Sequence, residues 1–219
     1  MVSSETTKLS IIRRNRHPIK PPIIPYQDAK KWLVRFWTDP NRRQHILEDA
    51  IEHFDHLSSD DALKPQKRND AKLSIDAIRA FRDTLTDFGM NRRITFLAPP
   101  KRMHPLDIEG VKVKVNIDLI SQATIKSTEY EGGVIFRLTK SDQDTILANH
   151  KREQMGRYAA TLAYMQIADK LPTGREARQD ITFAVDVQCG KTFDARAGAR
   201  RASDLQAACR MIASIWASI

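Results

Sequence analysis

Only two cysteines, Cys189 and Cys209, occur in 219 residues. They form neither a disulfide framework nor a metal-ligand spacing, which excludes a cystine-stapled scaffold and a zinc ribbon and fits a reducing, cytoplasmic setting. Long apolar runs are missing as well. No stretch approaches the roughly 18 residues of a membrane span, and the opening MVSSETTKLSIIRRNRHPIK has no apolar h-region of a secretory signal, so no membrane partner is expected. Neither G-x-x-x-x-G-K-[ST] nor G-x-G-x-x-G is present, so Gly132-Gly133 reads as a tight strand entry rather than a phosphate loop. Nucleophile motifs built on serine or cysteine are absent. Acidic charge is in deficit: 27 Asp and Glu stand against 36 Lys and Arg, a net charge of +9 with pI ≈ 9.7. That excess suggests a polyanionic partner such as nucleic acid, and the plainer reading is that Lys and Arg solvate exposed faces.

What is present is a soluble globular balance, 41% hydrophobic and 29% charged. Residues 1–25 form a basic, proline-containing arm. Arg13, Arg14, Arg16 and Lys20 are its candidate nucleic-acid contacts, and proline keeps its HPIKPPIIP stretch out of a helix. Such an arm could follow a phosphate backbone, lie on a protein partner, or simply drape over the surface. Residues 26–92 carry helical periodicity. Trp32, Leu33, Phe36 and Trp37 recur at three- and four-residue spacing, and Ile46, Leu47, Ala50, Ile51 and Phe54 follow on the next helix. A third helix runs around AKLSIDAIRAFRDTLTDFGM. Three helices in a row make a helical lobe, or helices that clasp a sheet.

Residues 93–219 change character. RITFLAPP is a short strand candidate, and GVKVKVNIDLI (110–120) alternates, with Val111, Val113, Val115, Ile117 and Leu119 expected on one face. GGVIFRLTK follows as a strand that buries Val134, Phe136 and Leu138. A long helix spans about 142–171, DITFAVDVQCGKTFDA gives two short strands about a Cys189-Gly190 turn, and a last amphipathic helix carries Leu205, Cys209, Ile212 and Trp216 on one side. Trp32, Trp37 and Trp216 read as packing residues. The fold class expected is α/β (α+β), a small mixed central sheet flanked by helices with an N-terminal helical region.

Asp118 lies on the polar face of its strand. If that strand pairs with GGVIFRLTK as a hairpin, Arg137 and Thr139 share the face and Asp118 falls within salt-bridge reach of Arg137. QMGRY in the long helix puts Gln154 and Tyr158 one turn apart. This order resembles the PD-(D/E)XK nuclease superfamily, most closely its RecB-type branch, across about residues 70–190. That family has a helix, a β-meander bearing an Asp and then (D/E)-x-K, a helix with Q-x-x-x-Y, and a further strand. The resemblance implies a restriction-endonuclease-like core and assigns the first acid to Asp118 and the Q-x-x-x-Y pair to Gln154 and Tyr158.

The departure lies at (D/E)-x-K, which falls on Arg137-Leu138-Thr139. Lys140 is one residue out of phase and points to the opposite face. The family's reaction needs Mg²⁺ held by oxygen ligands, which acidify water and neutralise phosphate. One carboxylate beside a guanidinium is a poor Mg²⁺ site, so the expectation is a catalytically inactive nuclease-like protein with no cofactor, binding nucleic acid or a protein partner. A divergent Mg²⁺ nuclease is the alternative, with Glu153 as a migrated carboxylate and Lys140 or Lys151 as helper. An interaction protein with neither activity is a further one. His53 and His56, three apart on a helix with Glu52 nearby, also have metal-ligand spacing, although a polar helix face carries the same residues.

Overall fold

The computed structural model describes residues 6–7, 10–12, 25–85, 93–139, 145–170 and 174–218. Arg13, Arg14, Arg16, Lys20 and Lys140 lie outside them.

Residues 6–7 and 10–12 are helical, and three longer helices follow: α1 (Gln27–Thr38), α2 (His45–Ser59) and α3 (Pro65–Asp83). Pro65 opens α3 at its first turn, where a missing N–H costs nothing and the ring's fixed φ suits the helix. The start of α1 is tied to α3, because the Tyr26 backbone N–H donates to Asp70 Oδ1 at 2.9 Å. Their apolar stripes meet in one core with Leu33, Phe36, Leu47, Phe54, Ile78 and Phe81. Trp37 joins that core to the sheet, its ring 5.0 Å from Phe96 at a 63° tilt.

The sheet contains β1 (Thr95–Leu97), β4 (Leu119–Ile125), β5 (Thr128–Arg137), β7 (Phe183–Asp186) and β8 (Lys191–Asp194) in that spatial order, with β6 (Glu176–Ala177) also beside β5. Strands β1, β4 and β5 form an antiparallel meander. The long helix α4 (Ile146–Lys170) then crosses over so that β7 runs parallel to β5, and β8 returns antiparallel. A separate hairpin, β2 (Leu106–Ile108) and β3 (Val111–Val113), and the last helix α5 (Ala199–Ser218) complete the chain. The result is a mixed α/β fold in three layers. Helices α1–α3 cover one face through Leu119, Val134, Phe136, Leu138 and Val185. The other face holds Ile117, Ile120 and Ile135 against Ala163 and Ile167 of α4, together with the hairpin.

Gly132 and Gly156 permit two close approaches. A Cβ on Gly132 would strike the carbonyl of Ile181, and one on Gly156 would strike the Phe193 ring. Gly132 is therefore needed inside strand β5, not as an entry turn. Thr145 fixes where α4 begins, its Oγ1 accepting the Ala148 N–H at 3.1 Å as an N-cap. Among the described residues, no helix is long and apolar enough to cross a membrane.

Two expectations change. The 110–120 alternation is not one strand, because β3 ends at Val113, residues 114–118 are in no strand, and β4 starts at Leu119. Just before it, Glu109 and Gly110 (φ 52° and 78°) turn β2 into β3, the two-residue hairpin geometry with both central φ positive. Val111, Val113, Val115 and Ile117 pack in the cluster that holds Ala163 and Ile167 of α4 and Cys209 of the last helix, whereas Leu119 packs with the α1–α3 layer. Helix α5 buries only Cys209 of its described side chains, so Trp216 stands 48% exposed instead of packing.

Candidate functional site

The phase slip before Leu119 decides where Asp118 goes. Leu119 faces Val134 across the ladder, yet the Asp118 N–H also donates to the Val134 carbonyl at 2.8 Å. Two residues set against one is the count of a β-bulge, a feature that re-aims a side chain. The Asp118 carboxylate accordingly accepts the Phe136 N–H at 2.7 Å and pairs with Lys30 of α1 at 2.8 Å. Burial raises its pKa above the ordinary aspartate value, a push that Lys30 and the Phe136 N–H only partly offset.

Arg137 pairs elsewhere. It ends β5 beside the last residue of β7, Asp186, and its Nη1 donates to the Arg152 carbonyl at 2.9 Å and lies 3.5 Å from Asp186 Oδ2. Arg152, two turns into α4, closes on the same carboxylate: Nη2 donates to Oδ1 at 2.6 Å and Nε to Oδ2. Asp186 has no exposed side-chain surface. The expected Asp118–Arg137 pair is thus replaced by two separate pairings, Asp118 with Lys30 and Asp186 with two guanidiniums, because the bulge turns Asp118 toward α1. Sequence reasoning missed Asp186. Its signal was a single acid inside FAVDV, since a charge in an apolar strand must be paired.

The carboxyl ends of the parallel strands β5 and β7 share one edge, the position where crossover α/β sheets open a crevice. Here a cavity of about 520 Å³ is walled by Pro25, Tyr26, Lys30, Phe136, Arg137, Leu138, Thr139, Ala148, Lys151, Arg152 and Met155. Four of these are cations and none is an acid. Asp118 and Asp186 sit behind them as counter-ions, so the group of six carries net charge 4 − 2 = +2. Thr139 is exposed, and its carbonyl accepts from Arg152 at 2.6 Å.

Gln154 and Tyr158 do not line this cavity. Arg152, Gly156, Ala160 and Ala163 are the α4 residues turned to the sheet, and positions two residues away lie about 200° round the helix. Tyr158 donates instead to Asp204 of α5 at 2.7 Å, and that hydrogen bond raises its pKa. Glu153 pairs with Arg157 at 2.9 Å and lines a smaller cavity of about 250 Å³ with His150, Asp186 and Cys189, away from Asp118. His53 lies against Trp32, ring centres 5.9 Å apart. Among the described residues, no group of three His, Cys, Asp or Glu side chains could hold a metal ion.

Compared with protein-family models, curated proteins and solved structures, the chain matches none of them.

Proposed function

We propose that the chain is a catalytically silent nuclease-like protein whose cation-lined cavity holds a phosphate of a nucleic-acid backbone. The observation that carries this reading is the arrangement of Lys30, Arg137, Lys151 and Arg152 around a cavity with no acid in its wall. Guanidinium and ammonium groups there bind phosphate oxygens by charge-assisted hydrogen bonds. The start of α4 adds the positive end of a 25-residue helix dipole, with Ala148 in the cavity wall.

The PD-(D/E)XK resemblance is supported by the order of elements: helix, antiparallel meander, crossover helix, then a strand parallel to the third of the meander. In that frame Asp118 and Arg137 fall at the edge where the family holds its metal. Each buried carboxylate already has a cation against it, and a divalent ion would have to displace Lys30 or the two guanidiniums. Cations in place of a metal retain affinity for phosphate but supply no acidified water, so binding survives and hydrolysis does not.

A nuclease assay on single- and double-stranded DNA with Mg²⁺ and with Mn²⁺, run beside Asp118→Ala, tests this. No cleavage by either protein is expected. Cleavage lost in the variant would establish a rebuilt metal site and a divergent nuclease.

A further inference from the structure

Beside the cavity, the outer side of α4 carries apolar residues that the fold does not use. Leu147 is 63% exposed and Met155 51% exposed. With Lys151 between them they occupy positions i, i+4 and i+8, which places all three along one stripe of the helix. Lys151 and Met155 also line the cation-walled cavity, so apolar surface and phosphate-binding charge share one rim.

We propose that this rim recognises single-stranded nucleic acid, with a backbone phosphate in the cavity and the adjoining unpaired base lying on Leu147 and Met155. The inference rests on the phosphate-binding reading of the cavity and names its ligand. Charge complementarity selects a polyanion, since the four cations face two buried carboxylates. The apolar stripe then selects among polyanions. A duplex keeps its base faces stacked inside and offers phosphates and polar groove edges to a helix surface. An unstacked base offers an apolar face next to its own phosphate, and laying that face on leucine and methionine side chains removes apolar surface of both from water. A protein partner would cover the stripe equally well but would leave the adjacent +2 charge unexplained unless it were acidic at that point.

Fluorescence anisotropy with one mixed-sequence oligodeoxynucleotide, single-stranded and as its duplex, tests the proposal on three proteins: the full chain, Leu147→Ala/Met155→Ala, and Lys151→Ala. The full chain is expected to bind the single strand about tenfold more tightly than the duplex, and the double variant to lose that preference, its affinity for the single strand falling about tenfold further than its affinity for the duplex. Lys151→Ala should weaken both ligands alike, because a phosphate contact carries no strand preference. Equal affinity of the full chain for both ligands, or equal weakening of both by the double variant, overturns the single-strand inference. The cavity reading survives that result provided Lys151→Ala still weakens binding. Binding of neither ligand overturns both. Loss of self-association in the double variant, with no nucleic acid bound, would assign the stripe to a second copy of the chain.

Discussion

Arg152 grips Asp186 with two nitrogens along one edge of its guanidinium, and the carboxylate it holds is fully enclosed between β7 and α4. Arg137 approaches the same carboxylate from the neighbouring strand. The pairing welds the crossover helix to the sheet at the edge where the cavity opens.

Removing the acid therefore strands two partly buried guanidiniums. Asp186→Ala is expected to lose about 3–5 kcal/mol of stability, the cost of breaking a buried ion pair on one side. Arg137→Ala should cost less, since Arg152 still satisfies the carboxylate. Urea unfolding of both variants checks the ranking, and an Asp186→Ala chain within 1 kcal/mol of the parent would mean that the pair is screened like a surface one.

Asp118 gives a pH signature. Its folded-state pKa is raised, chiefly by burial, so the folded chain holds this proton more tightly than the unfolded chain does. Stability from this group is then greatest at low pH and falls as pH rises from the ordinary aspartate value of about 3.9 through the raised one. Asp118→Asn keeps an acceptor for the Phe136 N–H but has no proton to lose. The variant should gain on the parent across that window and hold a constant difference above it. Denaturant melts at a series of pH values read this directly, and a difference that moves the other way contradicts it.

Gly156 sets a steric limit. Glycine to alanine inside a helix ordinarily gains up to about 1 kcal/mol of propensity. Here the added methyl meets the ring of Phe193, only 8% exposed and so hemmed in by its neighbours, and overpacking costs about 1–3 kcal/mol. Gly156→Ala is expected to be destabilising overall, with Phe193→Leu in the same chain recovering part of the loss. Thermal melts of the single and double variants decide it.

Cys189 is exposed, yet its thiol is pushed up, first by partial burial and then by the nearby Asp186 charge. Alkylation by iodoacetamide at neutral pH should run more slowly than with free cysteine, because only the thiolate reacts. Alkylation faster than the free amino acid would place Cys189 in a different electrostatic setting.

The helices α1–α3 and the burial of Val134, Phe136 and Leu138 were legible because simple periodicity describes them. What escaped was set by local breaks in that periodicity. The end of β3 at Val113 and the bulge at Asp118 interrupt a run that alternates without fault as letters, and parity then carried Asp118 to Arg137 when it belongs to Lys30. Asp186 and Arg152 stand 34 residues apart in the chain, and only the crossover brings them together. Gln154 and Tyr158 share a face as their spacing implies, but spacing alone does not say that Arg152 and Gly156 hold the face toward the sheet.

The most direct test of the cavity is the salt dependence of single-stranded DNA binding, measured in parallel for the full chain and for Lys30→Ala/Lys151→Ala. Each phosphate contact contributes about −0.7 to the slope of log K against log salt for a single strand. If both lysines face phosphate, the double variant should bind more weakly with a slope shallower by about 1.4. An unchanged slope and affinity would place bound phosphate elsewhere on this basic chain and contradict the account.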